Sequence, residues 1–154
     1  MKTEKPALKV REIQVVYSAD KTLASRDKIT CSKSAYDYLL NGYNEKTLAV
    51  QEQFVVMLLN NSNKPLGVYK ASAGGLTSTV VDIRLIIATA LKSLATGIIL
   101  SHNHPSTNLN PSDADIQLTK KLKEACKLLD ISLLDHIIIS PLGEYKSLAD
   151  EGML

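Results

Sequence analysis

The sequence predicts a single globular domain of the α/β (α+β) class. Its 154 residues are enough to bury a core without disulfide or metal staples. Hydrophobic residues make up 45% of the chain and charged residues 22%, which is the profile of an ordinary globular protein. Segments with strand-like alternation and segments with helical periodicity follow one another along the chain, so both kinds of element are expected in one fold.

The first predicted elements are a short strand and a helix. EIQVVY predicts a strand because every second residue from Ile13 to Tyr17 is apolar. A helix through SAYDYLLNGY is expected next, with Ser32 or Ser34 as its N-cap and Gly42 near its end.

The middle of the chain predicts a β-hairpin followed by a helix. QEQFVVMLLNN is a β-rich run that ends in asparagines and Pro65, and GVYKASAGG continues after the turn. Asp82 then precedes IRLIIATALKSLA, which is expected to be a largely buried helix. Its apolar residues at helical spacing are Ile83, Ile86, Ile87, Ala90 and Leu94.

The last third predicts a strand, a helix and a further strand. GIILSHNH opens at Gly97 and is almost wholly apolar, which fits a strand covered on both faces. An amphipathic helix is expected within PSDADIQLTKKLKEACKLLD, with apolar residues spaced helically from Leu118. ISLLDHIIIS should form a strand that closes the core. Asp135 and His136 within it are interpreted as structural, with the histidine paired to a polar neighbour.

The charge pattern does not support a nucleic-acid partner. Eighteen Lys and Arg against sixteen Asp and Glu give a net charge of +2, and the basic residues are scattered. A basic face could form on the last helix, but a run of this kind is usually the solvated side of an amphipathic helix. The residues concerned are Lys120, Lys121, Lys123 and Lys127.

Cysteine usage and hydropathy predict a cytoplasmic protein with no membrane partner. Cys31 and Cys126 lie far apart and have no CxxC spacing, so neither a disulfide framework nor a cysteine-based metal site is expected. The segment MKTEKPALKVREIQ has no apolar signal core, and every apolar stretch is shorter than the ~20 residues that span a bilayer.

The strongest chemical signal is the segment SHNHPSTNLNPSDAD. His102 and His104 stand at i and i+2 at the end of an apolar strand, so their side chains project from the same face if the chain stays extended. A loop could bring Asp115 back to them. Two histidines and one carboxylate, with an open fourth position for water, form the pattern of a catalytic zinc site.

Each part of this pattern also has a structural interpretation. Ser112 and Asp115 have the S-x-x-D spacing of a helix capping box. A single histidine at a strand end is more often a hydrogen-bonded polar group than a ligand. Two histidines with a suitably spaced carboxylate are much harder to explain in this way, so the metal site is favoured.

A hydrolytic site also needs a general base, and Glu45 and Glu52 are the upstream candidates. Glu52 is better placed because it begins the strand QEQFVVMLL, whereas Glu45 lies in the looser GYNEKT segment. Without the histidine pair, Glu52 would be interpreted as a polar residue at a strand end.

The spacing of the motif is specific enough to suggest a family. His102-Asn103-His104-Pro105 is followed by six residues, Ser112, two residues and Asp115. This string resembles the JAMM (MPN-plus) metalloprotease motif. ILSHNHPS and NPSDAD, with VVDIR upstream and LLDHIII downstream, are similar to bacterial RadC-like JAB-domain proteins. The resemblance runs from about Glu52 to the C-terminus.

The resemblance implies a single-domain JAB/MPN-like fold with a central mixed β-sheet flanked by helices. Residues 46–154 would form this domain, and residues 1–45 would add an accessory strand and helix packed on it. RadC-like proteins also carry an N-terminal helix-hairpin-helix region, which has no counterpart in EIQVVY and the helix after it. This difference weakens the DNA association that the family name carries.

The resemblance also implies roles for individual side chains. Glu52 matches the family's catalytic glutamate, and Ser112 matches the serine that helps to stabilise the oxyanion. Zn²⁺ would be bound at the positions of His102, His104 and Asp115. Thr107 occupies a position where RadC-like proteins usually have glycine, and threonine is poorly suited to a positive φ there.

The sequence therefore predicts a zinc-dependent metallopeptidase-type hydrolase that cleaves a peptide or isopeptide bond of a protein substrate. One alternative is a DNA-repair-associated nucleic-acid-binding or nuclease protein, and another is a non-catalytic peptide-binding module on the same fold. The contiguity of HNH and its spacing to Ser112 disfavour an HNH nuclease. A zinc deaminase is disfavoured because the H-x-E and P-C-x-x-C elements are absent.

Overall fold

A mixed β-sheet forms the centre of the fold in the computed structural model, which describes residues 14–18, 20–74 and 80–154. The sheet has five strands in the order β2-β1-β3-β4-β5. β3 pairs antiparallel with β1 and parallel with β4, and both outer pairs are antiparallel. The strands are β1 (Gln53–Leu59), β2 (Pro65–Ala73), β3 (Gly97–Asn103), β4 (Ser132–Ile139) and β5 (Tyr145–Ser147).

Helices cover both faces of this sheet, and the expected central sheet flanked by helices is confirmed. The helices are α1 (Ser32–Leu39), α2 (Ile83–Lys92) and α3 (Asp113–Lys127). Alternate side chains of β1 separate the core into two layers, because successive residues of a strand point to opposite faces. Phe54, Val56 and Leu58 pack with α2 and α3. Val55 and Met57 pack with α1 on the other face.

Burial follows the position of each strand in the sheet. Every residue of β1 and of β3 is buried, since these strands have neighbours on both sides and helices on both faces. The predicted fully covered strand at GIILSHNH is therefore confirmed. β2 lies at an edge and is only partly buried beyond Pro65.

The predicted strand in EIQVVY is wrong where it can be checked. Its first two residues, 12 and 13, lie outside the described residues, and residues 14–17 are not in a strand. Val15 and Val16 are 85% and 82% exposed, so neither apolar side chain is buried against a core. Period-2 alternation predicts a strand only where a neighbouring strand and a core are available.

The expectation that α2 is largely buried is also wrong. The helix is amphipathic, with Ile86 and Ala90 buried and Leu85 and Leu91 about half exposed. It ends at Lys92, and Leu94 turns away from the core with a φ of 55°. The predicted cap is correct, because the Asp82 side chain accepts from the backbone N–H of Arg84 at 2.9 Å.

The N-cap of α1 differs from both predicted residues. Cys31 occupies the cap position, one residue before the helix begins at Ser32. Ser34 acts from the third helical position, where its Oγ accepts from the backbone N–H groups of Thr30 and Cys31. Its polar side chain therefore satisfies the backbone from inside the first turn.

Several compositional predictions can be compared with the described residues. Cys31 is exposed and Cys126 is buried, and both are free thiols. The four lysines of the basic run on α3 are all exposed, as a solvated helix face predicts. None of the helices in the described ranges has the length and hydropathy that crossing a membrane requires.

Gly42 lies in the turn that follows α1 and packs closely against the sheet, so it provides a test of that packing. A Cβ at this position would lie 2.6 Å from Val68 Cγ1 and 2.7 Å from Val55 Cγ1. We expect Gly42→Ala to lower the free energy of unfolding by about 1–3 kcal/mol, measured by urea denaturation, because overpacking a buried contact strains the core.

Gly67→Ala provides the matched control for this prediction. A Cβ at Gly67 on β2 would meet no atom within 4 Å, so the same substitution should not reduce stability. Equal urea midpoints for Gly42→Ala and the unchanged protein would show that the α1 region does not pack against β1 and β2 in this way.

Candidate metal centre

His102 is fixed at the centre of the sheet. It lies on β3 opposite Phe54 of β1, and its side chain is 2% exposed. The rings of Phe54 and His102 stack with an interplanar angle of 7° and a centroid distance of 6.0 Å. The imidazole therefore has a defined plane and only one edge directed towards the surface cleft.

His104 follows the last residue of β3 but continues its course. Its backbone N–H donates to the carbonyl of Ile139 at 2.9 Å, which extends the ladder between β3 and β4. The chain stays extended past Asn103, so the two histidines project from the same face, as their spacing predicts. Their Nε2 atoms lie 2.8 Å apart.

Asp115 reaches the histidines from the first turn of α3. Its carboxylate oxygens lie 3.3 Å from His102 Nε2 and 3.6 Å from His104 Nε2. The predicted capping box is also present, because Ser112 accepts from Asp115 N and donates from both its N and its Oγ to Asp115 Oδ2 at 2.7 Å.

The donor atoms of these three residues fit a metal ion. One atom each from His102, His104 and Asp115 lies within 4.8 Å of the other two. The set contains two imidazole nitrogens and one carboxylate oxygen, a combination typical of zinc and of other divalent transition metals. The Nδ1–H of His104 donates to the carbonyl oxygen of Asn108 at 2.5 Å, so its Nε2 faces the other donor atoms.

The electrostatics of the centre favour a bound positive charge. Burial alone would raise the pKa of Asp115, but the neighbouring imidazoles of His102 and His104 hold that pKa well below its usual range. The nearby carboxylate of Asp115 raises the pKa of His104 against the effect of burial. An anionic carboxylate thus faces the two imidazoles under ordinary conditions.

Glu52 lies on the wall of the same cleft, which has a volume of about 510 Å³. Its charge raises the pKa of His104, although less than Asp115 does. It precedes the first residue of β1, and its carbonyl accepts from Gly74 N at 2.8 Å. Ser112 also lines this cleft. Glu45 lines a different depression, beside Leu48. Of these two acids, only Glu52 lines the cleft that contains His102, His104 and Asp115.

Asn103 holds the segment that carries Glu52, a role that sequence reasoning missed. It is fully buried and points to the opposite face from His102. Its Oδ1 accepts from Gln53 N at 2.7 Å, and its Nδ2 donates to Leu48 O and Gln51 O at 2.7 and 3.0 Å. The middle residue of HNH therefore ties both neighbours of Glu52 to β3.

The structural interpretation of His136 accounts for its burial but not for its partners. It is buried and partnered, as expected, but its Nε2 lies 2.8 Å from His102 Nδ1 and its Nδ1 lies 2.6 Å from Thr119 Oγ1. Asp135 faces the other side of the sheet, where it accepts from Ser147 Oγ at 2.6 Å. No local sequence pattern identifies the contact between His136 and His102, because it depends on how β4 pairs with β3.

The loop between the histidines and α3 contains a strained residue. Thr107 has a φ of 67°, and its N–H donates to the carbonyl of His104 at 3.0 Å to close a turn. The predicted conflict at this position is therefore real, because a β-branched residue adopts the left-handed conformation that favours glycine.

Replacing this threonine tests the strain directly. We expect Thr107→Gly to raise the free energy of unfolding by up to about 1 kcal/mol, since relief of the left-handed conformation exceeds the added flexibility of the unfolded chain. Thr96→Gly is the control, because Thr96 is an exposed loop residue without a positive φ. It should lower stability. Equal shifts at both positions in urea denaturation would contradict the strain at Thr107.

Comparison with known proteins gives this site a family context. Residues 29–153 match the family model described as the RadC-like JAB domain. A UPF0758 protein of Flavobacterium johnsoniae is 47% identical over 126 residues, which cover 82% of this chain and 53% of that protein. A UPF0758 protein of Aquifex aeolicus is 33% identical over 148 residues, which cover 96% of this chain and 62% of the relative.

The extent of these matches defines what is shared. The chain spans 53% to 62% of the length of the two relatives described, and the family match includes α1 and all five strands. The cleft with His102, His104 and Asp115 lies entirely within the matched residues. The chain belongs to the RadC-like JAB domain family.

Proposed function

We propose that this domain is a zinc-dependent hydrolase that cleaves a peptide or isopeptide bond of a protein substrate. The observation that carries the proposal is the convergence of two imidazole nitrogens and a carboxylate oxygen within 4.8 Å. These atoms line an open cleft that also contains Glu52 and Ser112. A catalytic zinc site keeps one position free of protein ligands, which the three-ligand set provides.

His102, His104 and Asp115 would hold the ion, which when bound would supply a Lewis acid and make water more acidic. Glu52 would act as general base and then general acid, taking a proton from water and returning it to the leaving amine. Its position on the wall of the cleft that contains the donor atoms supports this role.

Ser112 would donate a hydrogen bond to the oxyanion that forms on the substrate. In the structure its single hydroxyl proton is donated to Asp115 Oδ2 at 2.7 Å. The backbone N–H of Ser112 donates to the same oxygen, so Asp115 keeps one of these bonds if the hydroxyl rotates away. Capping and oxyanion stabilisation are therefore successive uses of one group, and removal of such a donor typically costs about 3 kcal/mol in the barrier.

The alternatives from sequence have less support in the described residues. A nucleic-acid partner is not favoured by a net charge of +2. A non-catalytic peptide-binding module needs neither Glu52 nor Ser112 in the cleft with the ligand set. A cytoplasmic location remains a prediction, based on two free cysteines without a disulfide pattern.

Replacement of the general base tests the proposal. We expect Glu52→Gln to retain Zn²⁺ but to lose hydrolysis by about 10²–10⁴-fold, because the amide keeps the shape of the side chain and cannot accept the proton. Glu45→Gln, a matched change in a separate depression, should retain full activity. Metal content is measured by elemental analysis, and cleavage is assayed on peptide, isopeptide-linked and single-stranded DNA substrates.

The outcomes of this experiment separate the functional classes. The hydrolase is supported if the unchanged protein and Glu45→Gln cleave peptide or isopeptide substrates and Glu52→Gln does not. Cleavage of DNA only supports a nuclease, and metal binding with no cleavage of any substrate supports a binding module. A protein that binds no zinc, or a Glu52→Gln variant as active as the unchanged protein, would refute the proposed mechanism.

Zinc affinity should depend on pH through His104. The pKa of His104 is raised, so this imidazole keeps a proton to higher pH than a free histidine with a pKa of about 6.5. A proton on Nε2 competes with the ion, so affinity should increase as the pH rises through the raised pKa and then level off. Asp115 stays ionised in this range because its pKa is lowered. Chelator competition between about pH 6 and pH 9 measures the effect, and a constant affinity would contradict it.

A further inference from the structure

A buried hydrogen-bonded chain connects His102 to the helix that carries Asp115. His136 lies on β4 and is fully buried between the sheet and α3. Its Nε2 lies 2.8 Å from His102 Nδ1, and its Nδ1 lies 2.6 Å from Thr119 Oγ1. Thr119 Oγ1 in turn donates to the backbone carbonyl of Asp115 at 2.6 Å. The mechanism outlined above uses neither His136 nor Thr119.

The hydrogen bond from Thr119 to Asp115 O determines the donor and the acceptor in the other hydrogen bonds of this series. A carbonyl oxygen can only accept, so the single hydroxyl proton of Thr119 is donated to Asp115 O. Thr119 Oγ1 must then accept from His136, which places a proton on His136 Nδ1. A neutral imidazole with a proton on one nitrogen accepts at the other, so His136 Nε2 accepts from His102 Nδ1–H.

The surroundings of His136 favour this neutral form. The His136 side chain is fully buried, and burial disfavours a charged imidazole. The rings of His136 and Phe54 meet in a T-shaped arrangement at a centroid distance of 5.7 Å, while Phe54 stacks on His102. Both imidazole planes are thus held by one aromatic ring, and the hydrogen-bonded chain determines which nitrogen of each is protonated.

We propose that His136 and Thr119 are positioning residues that keep the Nε2 lone pair of His102 directed at the metal centre. The proposal rests on the metal site put forward above. With its proton on Nδ1, His102 presents an unprotonated Nε2 to His104 and Asp115. Thr119 also donates to the backbone carbonyl of Asp115. The hydrogen-bonded chain therefore couples His102 on β3 to the turn of α3 that supplies the carboxylate.

Imidazole NMR of the full chain tests the tautomers without any metal or substrate. The chain has three histidines, so the long-range ¹⁵N–¹H spectrum contains three imidazoles. We expect His136 to be neutral with its proton on Nδ1, and His102 to carry its proton on Nδ1. A His136 ring protonated on Nε2, or on both nitrogens, near neutral pH would overturn the proposal.

Zinc affinity tests the consequence of the chain, with Zn²⁺ alone as the probe. We expect His136→Leu to weaken zinc binding by about 10–100-fold, the usual effect of losing a hydrogen-bond partner of a metal ligand. The isosteric Thr119→Val should weaken it as well, whereas Thr119→Ser should retain affinity. Cys126→Ala is the control. It also shortens a buried side chain on α3, but Cys126 takes no part in the hydrogen-bonded chain.

The results distinguish this proposal from the proposed function. If the unchanged protein binds no zinc, the hydrolase proposal fails, and so does the proposed role of His136 and Thr119 in metal binding. If it binds zinc and folded His136→Leu binds equally tightly, only the role of His136 fails. Should His136→Leu not fold, the comparison of Thr119→Val with Thr119→Ser decides, and equal affinities in that pair would overturn the coupling.

Discussion

The pairing of β3 between β1 and β4 is the constraint on which the rest of the site depends. This strand is buried along its whole length, and the ladder with β4 continues through His104. An extended backbone at this point gives successive side chains opposite directions. The segment from Ser101 to His104 therefore presents polar groups alternately to two different layers of the protein.

That alternation divides the work of the HNH segment between the two faces. His102 and His104 point towards the cleft, where they meet Asp115. Asn103 points the other way and uses all of its described hydrogen bonds on the segment that carries Glu52. Buried polar groups are costly without partners, and here each partner is a piece of backbone whose position the site needs.

The parts of this site that local spacing determines could be predicted from the sequence. The two histidines share a face because they are two residues apart in an extended segment. The capping box with Ser112 places Asp115 in the first turn of the next helix. The contact between His136 and His102 could not be predicted, since it depends on the parallel register of β3 and β4. That register shifts between Ile98 and Ile99, which changes the face on which His136 lies.

The fold shows the same division between local and long-range information. Runs such as GIILSHN and SLLDHIII gave correct strands, because a continuous apolar segment needs cover on both faces wherever it lies. EIQVVY failed because its alternation has a meaning only beside a partner, and the valines at 15 and 16 are exposed. Strand order is likewise a property of the sheet and not of any one strand.

Asp115 shows why a capping motif and a metal ligand set are compatible interpretations of one sequence. Its Oδ2 accepts both hydrogen bonds from Ser112, while its Oδ1 lies 3.3 Å from His102. The cap fixes the carboxylate plane, so that Oδ1 faces His102 while the capped Oδ2 lies 3.6 Å from His104 Nε2. A ligand held by its own helix loses less conformational entropy when an ion binds, so the cap favours metal binding at this position.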